Sequence, residues 1–168
     1  MKIVFNKIVL FALFAFGAVA CKKEFTDDLV KDNKPEIPVT FVGATTSGFN
    51  PYYKVSIQGG GVIKLELSIP ANAPHKIKEV SKIVCGATAL NAGNLKDPSY
   101  PSYLAAPVAV NGTTYTLSTN VTEFNTKAPK ASDKIPLDKG GERAFLILLT
   151  MDDNSEIIPV QCRIRVTP

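Results

Sequence analysis

The residues able to do covalent or acid–base chemistry are few and scattered. Three cysteines stand at positions 21, 85 and 162, and the single histidine, His75, lies between Pro74 and Lys76. A lone loop histidine without a Gly-x-Ser-x-Gly elbow gives nucleophilic catalysis little to work with. Glycoside hydrolysis asks only for two carboxylates at a set separation. Glu66, Glu79, Glu123, Glu142 and Glu156 are present, but no spacing pairs them. Asp152, Asp153, Asn154 and Glu156 gather oxygens on one short stretch, as calcium sites do. The full calcium-loop spacing is missing, and Asp and Asn are also ordinary turn formers. One histidine and no closely spaced cysteines leave zinc without a ligand set. The expectation is a protein that is not an enzyme and needs neither metal nor cofactor.

Binding is better motivated. Tyr100 and Tyr103 sit in a local duplication, Pro98-Ser99-Tyr100-Pro101-Ser102-Tyr103. Exposed tyrosines stack on sugar faces or anchor protein partners, so these two are the candidate ligand-binding residues. The other reading has the tyrosines covering loop edges. Cys85 and Cys162 form the remaining cysteine pair once Cys21 is set aside. In an oxidising compartment they can be bridged, and in either compartment they can be two buried thiols. Both alternatives stand at this level.

The elements that must position these residues are strands. Tyr53, Val55 and Ile57 alternate with polar residues, and Ile63, Leu65, Leu67 and Ile69 do the same after Gly59-Gly60-Gly61. A period of two with one polar face is a half-buried strand, and glycine between two such runs predicts a hairpin. Asn111-Gly112 predicts a second hairpin, joining residues 108–110 to 113–118. Ile37, Val39 and Phe41 suggest a first strand. Ile77, Val80, Ile83 and Val84 have helical spacing, but β-branched content and the following Gly86 favour a strand. Residues 91–107 and 124–141 read as irregular. Residues 144–151 (AFLILLTM) show little alternation, which marks a strand buried on both faces. Ile158, Val160, Cys162, Ile164 and Val166 alternate cleanly to the C-terminus. Seven or eight short strands with frequent turns predict an all-β, antiparallel two-sheet sandwich of immunoglobulin/fibronectin-like type, spanning 36–168. The chain holds no tryptophan to supply the usual immunoglobulin core.

The first 35 residues have a different character. Lys2 and Lys7 precede an apolar run, residues 8–20, which ends in Ala18-Val19-Ala20 before Cys21. The run is too short to span a bilayer, which takes roughly 20 residues. It has the layout of a secretory signal: a basic start, a roughly 7–15-residue apolar segment, and small residues at its end. Residues 1–20 are thus the expected cleaved signal helix, and 21–35 a solvated tether carrying Lys22, Lys23, Glu24, Asp27 and Asp28. Removing the signal takes two lysines from the 19 basic residues, leaving 17 against 15 acidic ones, close to +2. That balance is too mild for a nucleic-acid surface.

Ala18-Val19-Ala20-Cys21 resembles the lipobox of bacterial lipoproteins, with Ala18 where leucine is usual. The resemblance implies that Cys21 is the lipidation site, its thiol diacylated and its new amine acylated. Several chains at about 0.8 kcal/mol per buried CH₂ hold a protein on a membrane. With the charged tether and the strand pattern, the layout resembles the small surface lipoproteins of the Bacteroidota. It implies an outer-membrane, lipid-anchored protein on the periplasmic or cell-surface face. Such a protein would be a non-catalytic binding or accessory module for a glycan or an outer-membrane protein complex. The alternative is a structural or adhesive component that assembles through sheet edges.

Overall fold

The computed structural model describes residues 36–47 and 50–168. The expected signal segment, Cys21 and the tether lie outside the described residues. The unit Ile37–Pro168 is built from ten strands: β1 (Thr40–Phe41), β2 (Thr45–Ser47), β3 (Asn50–Ser56), β4 (Val62–Ser68), β5 (Ile77–Gly86), β6 (Val108–Gly112), β7 (Thr114–Asn120), β8 (Gly141–Met151), β9 (Glu156–Ile157) and β10 (Cys162–Thr167). Two short helices, α1 (Ala92–Lys96) and α2 (Val121–Lys127), and a 3₁₀ turn (Ala131–Asp133) lie between them.

The strands form two sheets. One has the order β1-β4-β7; the other runs β2-β3-β10-β8-β5-β6, with β9 added to the far half of β8. Pairing is antiparallel except for β3 against β10, which is parallel. After β1 the chain crosses to β2 and β3 of the larger sheet, and the last strand, β10, returns beside β3. This is an immunoglobulin/fibronectin-like sandwich, as the strand pattern predicts.

Alternate residues from each sheet fill one core. Ile63, Leu65 and Leu67 of β4 meet Phe145, Ile147 and Leu149 of β8 and Ile164 and Val166 of β10. A second, smaller cluster lies on the outer face of the larger sheet: Val84, Leu146 and Leu148, covered by Leu95 of α1 and by Tyr100. The lack of alternation along β8 thus has a simple cause. Its odd-numbered residues face the partner sheet and its even-numbered ones face the covering loop.

Four expectations change. The glycine run at 59–61 and Asn111-Gly112 do not close hairpins: β3 and β4 belong to different sheets, and so do β6 and β7. Each turn is an arch that carries the chain across the core, with Gly60 and Gly61 at φ 90° and 61° and Asn111 at φ 50°. A hairpin and an arch leave the same alternating pattern, because both flanking strands bury one face in the same core. The stretches read as irregular hold helices. Asn120 caps α2 by accepting from the Glu123 N–H at 2.8 Å, and the helix buries Val121 and Phe124. Asn91 caps α1, which buries Leu95. The expected final strand is broken at 158–161, where Pro159 lacks the N–H a ladder needs.

The helical spacing of Ile77, Val80 and Ile83 also has its explanation. The pairing of β5 with β8 shifts register between Ile77 and Glu79 and again between Val80 and Lys82. Each bulge adds one residue, so inward positions fall three apart although the backbone is a strand.

Candidate functional site

The duplicated Pro-Ser-Tyr segment is the pivot of the covering loop, residues 87–107. Its two tyrosines go to opposite sides of the larger sheet. Tyr103 enters the main core and is 2% exposed. Its backbone N–H donates to Ile83 O at 2.6 Å, tying the loop to β5. Its ring packs edge-on against Phe145, centroids 5.2 Å apart, and Phe124 approaches Phe145 in the same way at 5.3 Å. Tyr100 packs on the outer cluster and stays half-buried.

Tyr103 also closes a polar ring. Thr119 donates to Glu123 Oε2 at 2.8 Å, so it accepts from the Tyr103 hydroxyl, 2.5 Å away. Glu123 Oε1 accepts from Lys127 Nζ at 2.7 Å, and that ammonium lies 4.4 Å from the centre of the Tyr103 ring. Bonds from Lys127 and then Thr119 hold the Glu123 carboxyl below its usual range. Burial pushes the Tyr103 phenol up. Tyr103 therefore does not present a ligand-binding face: its ring is a core side chain and its hydroxyl is committed to Thr119.

Tyr100 has a different setting. It lines a cleft of about 380 Å³ with Ser81, Lys82, Pro98, Pro101 and Leu104 among its walls. Lys82 Nζ donates to Asp97 O at 2.7 Å beyond the end of α1, which fixes the loop against β5. The cleft presents an aromatic ring, proline rings and hydroxyls around one anchored ammonium. Sequence reasoning finds Tyr100 but not Lys82, which becomes a wall only when the loop folds back over β5.

Cys85 and Cys162 are free and buried. Both pair with Phe145 of β8, Cys85 from β5 on one side and Cys162 from β10 on the other. They share a sheet two strands apart, roughly 9–10 Å at about 4.8 Å per strand. A disulfide needs Cα atoms within about 7 Å. Of the two alternatives the structure holds the buried thiols, since β8 stands between the partners. Burial pushes both thiols up to about 12.

His75 is not a free loop side chain. Its Nδ1 lies 2.9 Å from Asp152 Oδ1 and its Nε2 3.4 Å from Asp153 Oδ2. The second oxygen of Asp152 accepts from the Lys76 N–H, and the Asp153 Oδ1 accepts from Ser155 N and Oγ. This arrangement clips the β4–β5 loop to the β8–β9 turn. Both ring nitrogens face carboxylates, and neither faces a hydroxyl or thiol nucleophile. Glu156, grouped with these residues by sequence, pairs on β9 with Thr150 instead. The three exposed or half-exposed side chains bring ligand-type atoms within 4.8 Å of one another, an arrangement that the contacts of the imidazole with the two carboxylates account for.

No protein-family model matches the chain, and no curated protein matches it. Among solved structures, a fibronectin(III)-like module of Clostridium thermocellum CbhA is similar, with a TM-score of 0.35 and 12% identity. The match covers 77% of this chain and 96% of that one.

Proposed function

We propose that the protein is a non-catalytic, lipid-anchored module of the outer membrane that binds a glycan or an outer-membrane protein partner through the loop over β5. The observation that carries this reading is the Tyr100 cleft: a half-buried aromatic ring among prolines and hydroxyls, held on a loop that Tyr103 and Lys82 fix to the sheet. A rigid platform loses little conformational entropy on binding. Supporting the anchor is the sequence Ala18-Val19-Ala20-Cys21 behind a basic and apolar leader. Supporting the absence of catalysis is His75, whose two nitrogens are both turned to carboxylates.

The test is a gentle-detergent pull-down of the full lipidated protein from its own membranes, with mass spectrometry of its companions and a glycan screen alongside. A stoichiometric outer-membrane protein, or a glycan, is expected with the wild type and is lost with Tyr100→Ala while the fold persists. Unchanged capture by that variant removes the cleft from the reading. Cys21→Ala is expected to leave the membrane fraction; retention there overturns the anchor.

A further inference from the structure

The sandwich has five outer strands among the described residues, and they differ in how well they are protected. β1 and β9 have two residues each and β2 three, too short to template another strand. β6 follows Pro107 directly, and its pairing with β5 shifts register at a bulge. Short length, proline and bulges are the usual ways in which proteins blunt a sheet edge. β7 has none of them. It is seven residues long, Thr-Tyr-Thr-Leu-Ser-Thr-Asn, without charge, proline or glycine. It pairs with β4 in unbroken register from Thr114↔Ser68 to Asn120↔Val62, and with no other strand among the described residues. Its far side therefore presents a straight row of unpaired N–H and C=O groups. An open hollow of about 710 Å³ lies at the end of the β4–β7 pair, walled by Val62, Ser118, Asn120 and Thr122. Val62 is 64% exposed there.

We infer that the β7 edge is a self-docking site, where a second copy of this chain adds its own β7 antiparallel about a two-fold axis at Leu117. The strand is complementary to itself in that register. Thr114 faces Asn120 of the second copy, Tyr115 faces Thr119, Thr116 faces Ser118, and Leu117 faces Leu117. No charge opposes a like charge, which is what a two-fold axis through a sheet edge requires. Tyr115, Leu117 and Thr119 stay inward and Thr114, Thr116, Ser118 and Asn120 stay outward, so β1-β4-β7 continues into β7-β4-β1 of the second copy. A seven-residue antiparallel pair makes about six to eight new backbone hydrogen bonds. On β4, Lys64 and Glu66 face β7 at Ser118 and Thr116, one strand back from the axis, and Glu123, bonded to Thr119, is paired within its own chain by Lys127.

The experiment is light scattering after size-exclusion chromatography of the full chain in detergent over a concentration series. The wild type is expected to dimerise. The double variant T116K/S118K places lysines directly opposite one another twice across the axis. It is expected to weaken the dimer by at least about tenfold. Within one chain the new lysine at 116 faces Glu66 and the one at 118 faces Lys64, so an unchanged melting temperature checks that the domain still folds. A mixture of T116K with S118E sets opposite charges across the axis and is expected to form the mixed dimer in preference to either parent dimer. A wild-type chain that stays monomeric to its solubility limit overturns the inference. So does a double variant that dimerises like the wild type, since another surface would then hold the copies together.

Discussion

Replacing Tyr103 by phenylalanine separates the two things that residue does. The ring, its edge contact with Phe145 and the loop backbone bond to Ile83 remain. Only the hydroxyl goes, and Thr119, 8% exposed, loses the donor whose proton it accepts. Thr119 cannot turn to compensate, because its own proton is given to Glu123. A buried acceptor left unpaired costs about 1–2 kcal/mol, which lowers the melting temperature of a domain this size by about 4–8 °C. Tyr103→Ala also empties the space beside Phe145 and is expected to cost about 3–5 kcal/mol. Tyr100→Ala removes a half-buried ring from the small outer cluster and is expected to cost about 1–2 kcal/mol. Urea unfolding of the purified chain followed by far-ultraviolet circular dichroism reads all three. The reasoning is refuted if Tyr103→Phe matches the wild type within about 0.5 kcal/mol, or if Tyr103→Ala is no worse than Tyr100→Ala.

Two predictions concern the thiols. Iodoacetamide is expected to leave Cys85 and Cys162 unlabelled in the native chain and to label both after unfolding without reductant; protection of both in unfolded, unreduced chain would restore the bridge. Both thiols are raised from 9.0 to about 12 in the folded state, so the folded form keeps protons that the unfolded form has lost. Stability that is complete below pH 9 therefore falls as pH rises toward 12, by up to about 1.4 kcal/mol per pH unit for each thiol. Cys162→Ala should flatten that slope by about half, measured by urea unfolding at stepped pH.

The strands were legible because a half-buried strand writes its inner face into every second residue. Ile63, Leu65 and Leu67 need no partner to be recognised, and the unbroken apolar run of β8 announces burial on both faces. β5 was harder, since its two bulges turn a period of two into spacings of three. The short helices went unseen for want of length: α2 offers only Val121 and Phe124 as a face. The Asn120-x-x-Glu123 spacing is a signal that could have located its start. At the candidate site the duplication around Tyr100 and Tyr103 stands out in the sequence, but the different fates of the two tyrosines do not. Three residues of loop carry one ring past the sheet edge and leave the other outside.

The sequence by itself determined the class: strands, turns and one apolar core. These follow from local periodicity and composition, which each short stretch carries alone. Tertiary structure decided which strands are neighbours. β3 beside β10, arches in place of two hairpins, and β8 between Cys85 and Cys162 all join residues far apart in the chain. An alternating strand shows that one face is buried, but its edges are backbone, and backbone hydrogen-bonding groups are the same in every residue but proline. The choice of partner along an edge is therefore made by how the whole core packs.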